Sequence, residues 1–281
     1  MASTSLTSTT GQVFNPDLTS KEIIDIREAN LGFEATASRK YVDAGVGTTL
    51  SWPTITAATT RSKSEGNDGS AITFEANVEG EVVLTINTWT YAAFEYEEFE
   101  KSLSLHDQKE IYTKRSVYAV NASVDAVLAG LVDNFTQTVG TLGVDLTDED
   151  VRRAVQYLDD ANVPGDDRWF AMSPASKNSM LGIERYTSSD FNRGGGANII
   201  KGSVGEIYNL KVFNSTQVEG SNAAGHDNGI YHQDSFALGM RMQPKTRVFD
   251  SILQLSTQVA VSVIYGVVET RDDHGVWAKG A

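Results

Sequence analysis

The chain contains no cysteine. Disulfide frameworks, cysteine nucleophiles and thiolate zinc sites are excluded together. The composition suits assembly in a reducing compartment. Cations are also in short supply. Against 37 Asp and Glu stand 23 Lys and Arg, a formal charge of −14 over 281 residues. Affinity for nucleic acid comes mostly from cationic side chains, so any contact with it must be local or weak. Only 4 histidines are present and no G-x-S-x-G elbow occurs, which leaves nucleophilic catalysis few groups to use. Long apolar runs are missing too. The longest mainly apolar stretch, Val259–Val268, is about half of the ~20 residues a spanning helix needs, and no membrane association is expected. Residues 1–20 hold no Lys or Arg and no apolar core of a leader, so no secretory signal is expected.

What remains is globular material. Hydrophobic residues make up 40% and charged residues 21% of the chain, a composition of folded rather than disordered protein. A chain of this length buries roughly three quarters of its surface on folding and needs no staples.

Periodicity and turn chemistry place the elements. Residues 1–20, rich in Ser and Thr, read as a flexible arm, and Ser20 as the cap of a short helix over 21–29. Residues 45–90 read as a long β-hairpin. One side holds Thr48–Thr56, the other Ala71–Val78, and the polar tip runs from Arg61 to Ser70. That hairpin carries little apolar material of its own, so it is expected to reach another chain. Residues 81–90 alternate as one strand, and Phe94 to Leu105 reads as a helix. From Gln108 to Phe135 apolar residues recur at three- and four-residue steps, which predicts one long helix with Val124, Val127 and Leu131 in the core.

Thr147-Asp148-Glu149-Asp150 announces a capped helix carrying Val151, Ala154, Val155 and Leu158. A strand is expected over 168–172 and a helix with proline in its first turn over 174–181. Residues 187–196 read as a Gly-rich surface loop, 204–218 as a strand pair and 234–241 as a short helix. The chain is β again from Arg247, with a turn at 271–275 and a last strand at 276–278.

Four groupings could carry chemistry. His226, Asp227, His232 and Asp234 have metal-ligand side chains, but read better as a solvated loop leading into a helix with Asp234 as its cap. Gly194-Gly195-Gly196 with Lys201-Gly202-Ser203 has the wrong order for a phosphate loop. Glu95, Glu97, Glu98 and Glu100 read as a solvated helix face rather than an acid–base pair. Sequons at Asn121, Asn134 and Asn214 carry little meaning without a leader. No catalytic, cofactor-binding or metal-binding residue is assigned, and the chain is read as a non-enzyme. A large acidic fold with extended arms and no chemical site points to assembly.

The order of elements resembles the major capsid proteins of tailed bacteriophages, with the Hong Kong 97-type fold. Gly47-Thr48-Thr49-Leu50-Ser51-Trp52-Pro53 is similar to the element leading into that family's extended loop. Leu84–Asn87 through Phe94–Glu98 is similar to the strand entering its peripheral domain. Ser123-Val124-Asp125-Ala126-Val127-Leu128 resembles the centre of its spine helix. Gly205–Ser215 resembles a strand of its axial domain, with Asn209 at a position that is glycine in the family pattern, where Asn serves if φ is positive. Val263–Gly266 with Arg271 resembles its C-terminal strand. The similarity covers about residues 30–276.

The resemblance implies an α+β fold in four parts: an N-terminal arm and short helix (1–46), an extended loop (47–80), a peripheral domain (81–143 and 246–281) with the spine helix, and a mixed α/β axial domain (144–245). It implies a subunit that assembles with itself into hexamers and pentamers of an icosahedral head around double-stranded DNA. Arg61, Lys63 and Glu65 at the loop tip would make intersubunit contacts. Partners would be a scaffolding protein, a portal, decoration proteins and non-specifically held DNA, but no membrane. The location would be the virion, after assembly in the host cytoplasm. Some relatives join a loop lysine to a late asparagine. Lys63 stands in the loop, but Asn228 is the last asparagine, so no such cross-link is expected. No long charged segment precedes Lys21, so a built-in scaffolding domain is expected to be absent or already removed, and a separate scaffolding protein is the arrangement favoured. The alternatives are a cellular nanocompartment shell of the same fold and a hydrolase built on the 194–232 loops.

Overall fold

The computed structural model describes residues 31–38, 47–55, 59–63, 72, 74, 79–98, 108–187 and 206–281. Among them are twelve strands. The first six are β1 (Thr49–Ile55), β2 (Glu79–Thr85), β3 (Thr88–Glu97), β4 (Thr138–Gly140), β5 (Arg168–Met172) and β6 (Glu206–Ile207). The rest are β7 (Leu210–Asn214), β8 (Gly220–Ser221), β9 (Gly225–His232), β10 (Phe236–Ser251), β11 (Ser256–Glu269) and β12 (Gly275–Gly280). The principal helices are a long one, Gln108–Ala129, a capped one, Asp148–Asp160, and the Pro174–Leu181 helix. The expected helix at 21–29 lies outside the described residues.

Alternation along β3 and β11 builds a three-stranded antiparallel sheet in the order β10-β11-β3. Even-numbered residues of β3 face inward, with Tyr96 buried, and odd-numbered ones face out. This corrects the helix expected from Phe94: residues 94–97 are strand, paired with Ser256–Val259. Glutamates favour helix locally, but the ladder to β11 overrides them. Glu95 instead accepts hydrogen bonds from the Ser256 hydroxyl and from Gln258 Nε2. The strand expected over 81–90 is two strands, because the chain turns out of one sheet at Ile86-Asn87 and into the other at Thr88. The helix expected over 234–241 is also strand. A 3₁₀ turn at Gln233–Ser235 leads straight into β10. Register shifts between Met240 and Lys245 accommodate Pro244, which has no ladder N–H to give.

The long helix lies on this sheet. It begins at Gln108 as expected but ends at Ala129, six residues before Phe135. Leu131 N–H then bonds to the Leu128 carbonyl, an i→i+3 closure, and a 3₁₀ turn covers Val132–Asn134. The apolar rhythm continues through that turn, which is why it read as α-helix. The buried row is Val120, Val124, Leu128 and Val132, four residues apart, packed with Val261, Val263, Phe236 and Leu238. Val127 lies off this row and is 40% exposed, correcting its expected place in the core. Residues 110–134 are long and apolar enough by composition to cross a bilayer. In this fold their apolar row is core, as in the central helix of a globular protein.

A seven-stranded sheet follows, in the order β4-β12-β9-β5-β7-β6, with β8 beside β9. The capped helix packs on it through Val151, Ala154 and Leu158, against Val139, Met172, Ile230 and Val276. Its start is a capping box. Asp150 N–H donates to Thr147 Oγ1 and Thr147 N–H donates to Asp150 Oδ2. The 168–172 strand and the 174–181 helix stand where sequence places them. β6 and β7 meet in a two-residue turn at Tyr208 (φ 48°) and Asn209 (φ 64°), the left-handed pair a tight hairpin requires. Asn209 serves at its glycine-like position. β10 runs through residue 246 without interruption, and β12 pairs with β9 and β4 in the seven-stranded sheet.

Candidate assembly surfaces

β1 and β2 form an antiparallel ribbon whose register runs from Thr49↔Thr85 to Ile55↔Glu79. At about 3.4 Å per residue it is roughly 20 Å long. Of the expected second strand, 71–78, only Ile72 and Phe74 are among the described residues, and both lie outside any strand; residues 79–85 pair with β1 instead. The ribbon is anchored only at its base. Leu84 and Ile86 are buried, and two glycines that are cross-strand partners, Gly239 and Gly266, leave the slot that holds them. A Cβ on Gly239 would sit 2.5 Å from Leu84 Cδ2, and one on Gly266 would sit 2.2 Å from the Thr85 carbonyl oxygen.

The second contact is with backbone, which cannot swing aside. Gly266→Ala is therefore expected to lift the ribbon base and cost about 1–3 kcal/mol. A thermal melt checks it, and an unchanged melt would mean the slot has slack.

Beyond this base the ribbon has no covering layer among the described residues. Ser51, Pro53, Thr54, Glu79, Gly80, Glu81 and Val83 are exposed, with Trp52 and Val82 half-buried. Isolated two-stranded ribbons are marginally stable in water. Farther out, Arg61 and Lys63 are exposed, while Glu65 lies outside the described residues. Ile72 is 70% and Phe74 89% exposed on the returning chain.

A second projection is the far end of β10–β11. The ladder continues to Ser251↔Ser256, and the connecting turn carries Ile252 and Leu253, 89% and 99% exposed, with Phe249 and Leu255 also exposed. Leu255 has φ 47°, an uncommon conformation for a bulky side chain. Trp89 and Tyr91 are exposed on the outer face of β3. Contiguous exposed apolar groups of this kind mark interaction surfaces.

The buried polar groups hold structure. Asp125, fully buried on the long helix, accepts backbone N–H bonds from Glu34 (2.8 Å) and Gly32 (3.3 Å). Burial raises the Asp125 pKa, and these bonds partly offset the rise. The segment it holds is also tied to β10, where Ser38 N–H donates to the Phe236 carbonyl. Residues 31–38 therefore bridge helix and sheet. Sequence flagged the motif around Asp125 but not this task.

Asn228, fully buried on β9, accepts from Ser173 N–H (2.7 Å) and donates to Ser176 Oγ (2.8 Å) and the His226 carbonyl (3.2 Å). Its amide has no open face to offer a lysine. Asn228→Ala is expected to leave the Ser173 N–H unpaired, destabilising the fold by about 1–3 kcal/mol. A urea melt checks it.

The candidate metal residues do not converge. His226, Asp227 and His232 lie on β9 and not in a solvated loop. His226 Nε2 pairs with Asn222 Oδ1, Asp227 accepts from Trp277 Nε1, and His232 Nδ1 accepts from Asp234 N–H. Burial raises the Asp227 pKa. Among the described residues no three His, Asp or Glu side chains form a ligand set. The Gly-rich residues 194–203 lie outside the described residues. Tyr186 and Tyr208 both donate to Asp148 Oδ1, at 2.5 and 2.7 Å. Burial and this carboxylate push the Tyr186 pKa up, which makes it a fastening rather than an acid.

A projecting ribbon, a long helix on a three-stranded sheet and a helix-covered seven-stranded sheet together define the Hong Kong 97-type fold of tailed-phage major capsid proteins. A solved chain from Mycobacterium phage Che8 matches with a TM-score of 0.82 and 19% identity, covering 94% of this chain and 97% of that one. The capsid structure of the cyanophage P-SCSP1u gives 0.76 and 16%, covering 94% and 92%. The mature capsid of bacteriophage PhiM1 gives 0.70 and 14%, covering 93% and 90%. At these identities the likeness is one of fold. No protein-family profile matches the chain, and no curated protein sequence does.

Proposed function

We propose that this chain is the structural major capsid protein of a tailed phage, tiling an icosahedral head as hexamers and pentamers around double-stranded DNA. The observation that carries this reading is the β1–β2 ribbon, clamped at its base and without a covering layer beyond it among the described residues, on a chain whose fold is that of phage capsid subunits. A neighbouring subunit supplies the missing layer. The ribbon is the extended loop, the long helix and three-stranded sheet form the peripheral part, and the seven-stranded sheet forms the axial part near the local symmetry axes.

Arg61, Lys63 and Glu65 make charge contacts with a neighbour, each worth under ~1 kcal/mol. Closed symmetry repeats such contacts many times, so weak interfaces suffice. The formal charge of −14 lets the shell enclose DNA without gripping it. A scaffolding protein, a portal and decoration proteins are further partners. Sedimentation velocity of the purified, overexpressed chain tests the reading. Large closed particles are expected, and a stable monomer at micromolar concentration would overturn it.

A further inference from the structure

The chain passes between its two sheets three times, at residues 130–137, 232–236 and 269–275, and all three crossings meet. Thr136 N–H donates to Asp272 Oδ1 (2.8 Å), and Thr270 N–H donates to the Ser235 carbonyl (2.8 Å). The Phe135 and Phe236 rings lie 5.2 Å apart. Gly275 makes room for Phe135, since a Cβ there would sit 2.1 Å from the ring. At the centre, the buried rings of His232 and His274 pack edge to face with centroids 5.7 Å apart.

The His274 tautomer follows from its neighbour. Arg271 Nη1 lies 3.4 Å from His274 Nε2. A guanidinium is only a donor, so Nε2 accepts and the imidazole proton sits on Nδ1. That Nδ1 is buried with no hydrogen-bond partner. A proton added to Nε2 would turn an N–H against the Arg271 N–H. Asp273 Oδ1 stands 4.0 Å from the same nitrogen.

We propose that His274 is a proton-operated switch in the joint between the two sheets. When it is neutral, Nε2 accepts from Arg271 and the crossings are locked. When it takes a proton from solvent, the new Nε2–H goes to Asp273, Arg271 is expelled, and the joint loosens.

The surroundings set the direction. Burial lowers the His274 pKa below its ordinary 6.5; Arg271 and His232 push the same way, and Asp273 and Asp234 oppose them. Arg168, opposite His232 in the ladder, is committed to Asp159 and to the Val163 and Pro164 carbonyls. In the last crossing, burial and Asp272 raise the Glu269 pKa. The locked joint thus binds the His274 proton more weakly than an open one. Its advantage is whole above pH 6.5 and declines as pH falls below that value.

Hydrogen exchange of the full chain between pH 8 and pH 5, corrected for intrinsic exchange, tests the switch. Protection at the amides of Thr270, His274 and Trp277 is expected to fall as pH drops below roughly 6.5, by at most about tenfold per pH unit for one proton, while the 148–160 helix holds. His274→Gln should abolish the step. If that variant does not fold, Arg271→Gln decides, because losing the guanidinium removes one cause of the lowered His274 pKa and should shrink the step. Equal corrected protection across the range, a step that survives in His274→Gln, or an undiminished step in Arg271→Gln would overturn the proposal.

Discussion

A chain lacking residues 61–70 is expected to fold normally and to remain as free subunits. The deletion leaves every pair of the β1–β2 ladder and the buried Leu84 and Ile86 in place. Arg61 and Lys63 are exposed, and removing exposed residues shifts stability by about 0.5 kcal/mol or less. The shorter loop closes at slightly lower entropic cost, by well under ~1 kcal/mol. None of the described core residues is lost. Assembly, however, repeats each contact in every subunit, so a small loss per interface is multiplied around the shell. Circular dichroism and a thermal melt should match the parent, while sedimentation should show subunits and no particles. Normal particles from the deleted chain would place the contacts elsewhere.

The second large effect separates two valines one turn apart. Val124→Asp puts an unpaired carboxylate at a position with 0% exposure, inside the row facing Val261 and Val263. The cost of an uncompensated buried charge is several kcal/mol, comparable to the ~5–15 kcal/mol that holds a domain folded. Insoluble or unfolded protein is expected. Val127→Asp, at 40% exposure, should shift the melt by no more than about 0.5 kcal/mol allows. Equal damage from both would mean that the helix is rotated from the position described.

Local chemistry was legible in the sequence, and long-range pairing was not. The Thr147 capping box and the 174–181 helix each depend on residues a few positions apart, and each stands where expected, while Asn209 takes the positive φ its glycine-like position asks for. The long helix was found from its rhythm, but its end was missed because Val132 and Phe135 continue the apolar pattern through a 3₁₀ turn. Phe236, Ala237, Leu238 and Met240 suit a helix as well as a strand, and only their pairing with Tyr265–Glu269 decides for strand. Glu95 and Glu97 misled for the same reason. The ribbon was legible as an extended hairpin, with its returning strand placed several residues too early. Its anchor was invisible, because nothing in a linear sequence says that Gly239 and Gly266 stand opposite each other. The three crossings that meet at His232 and His274 were hidden likewise, since their residues lie far apart along the chain.

The most direct trial is a cryo-EM reconstruction of particles formed by the purified chain. The account predicts closed shells in which the ribbon from one subunit lies across its neighbour, with Arg61 and Lys63 against that neighbour's surface. A monomer, or a particle in which the ribbon folds back on its own subunit, would contradict it.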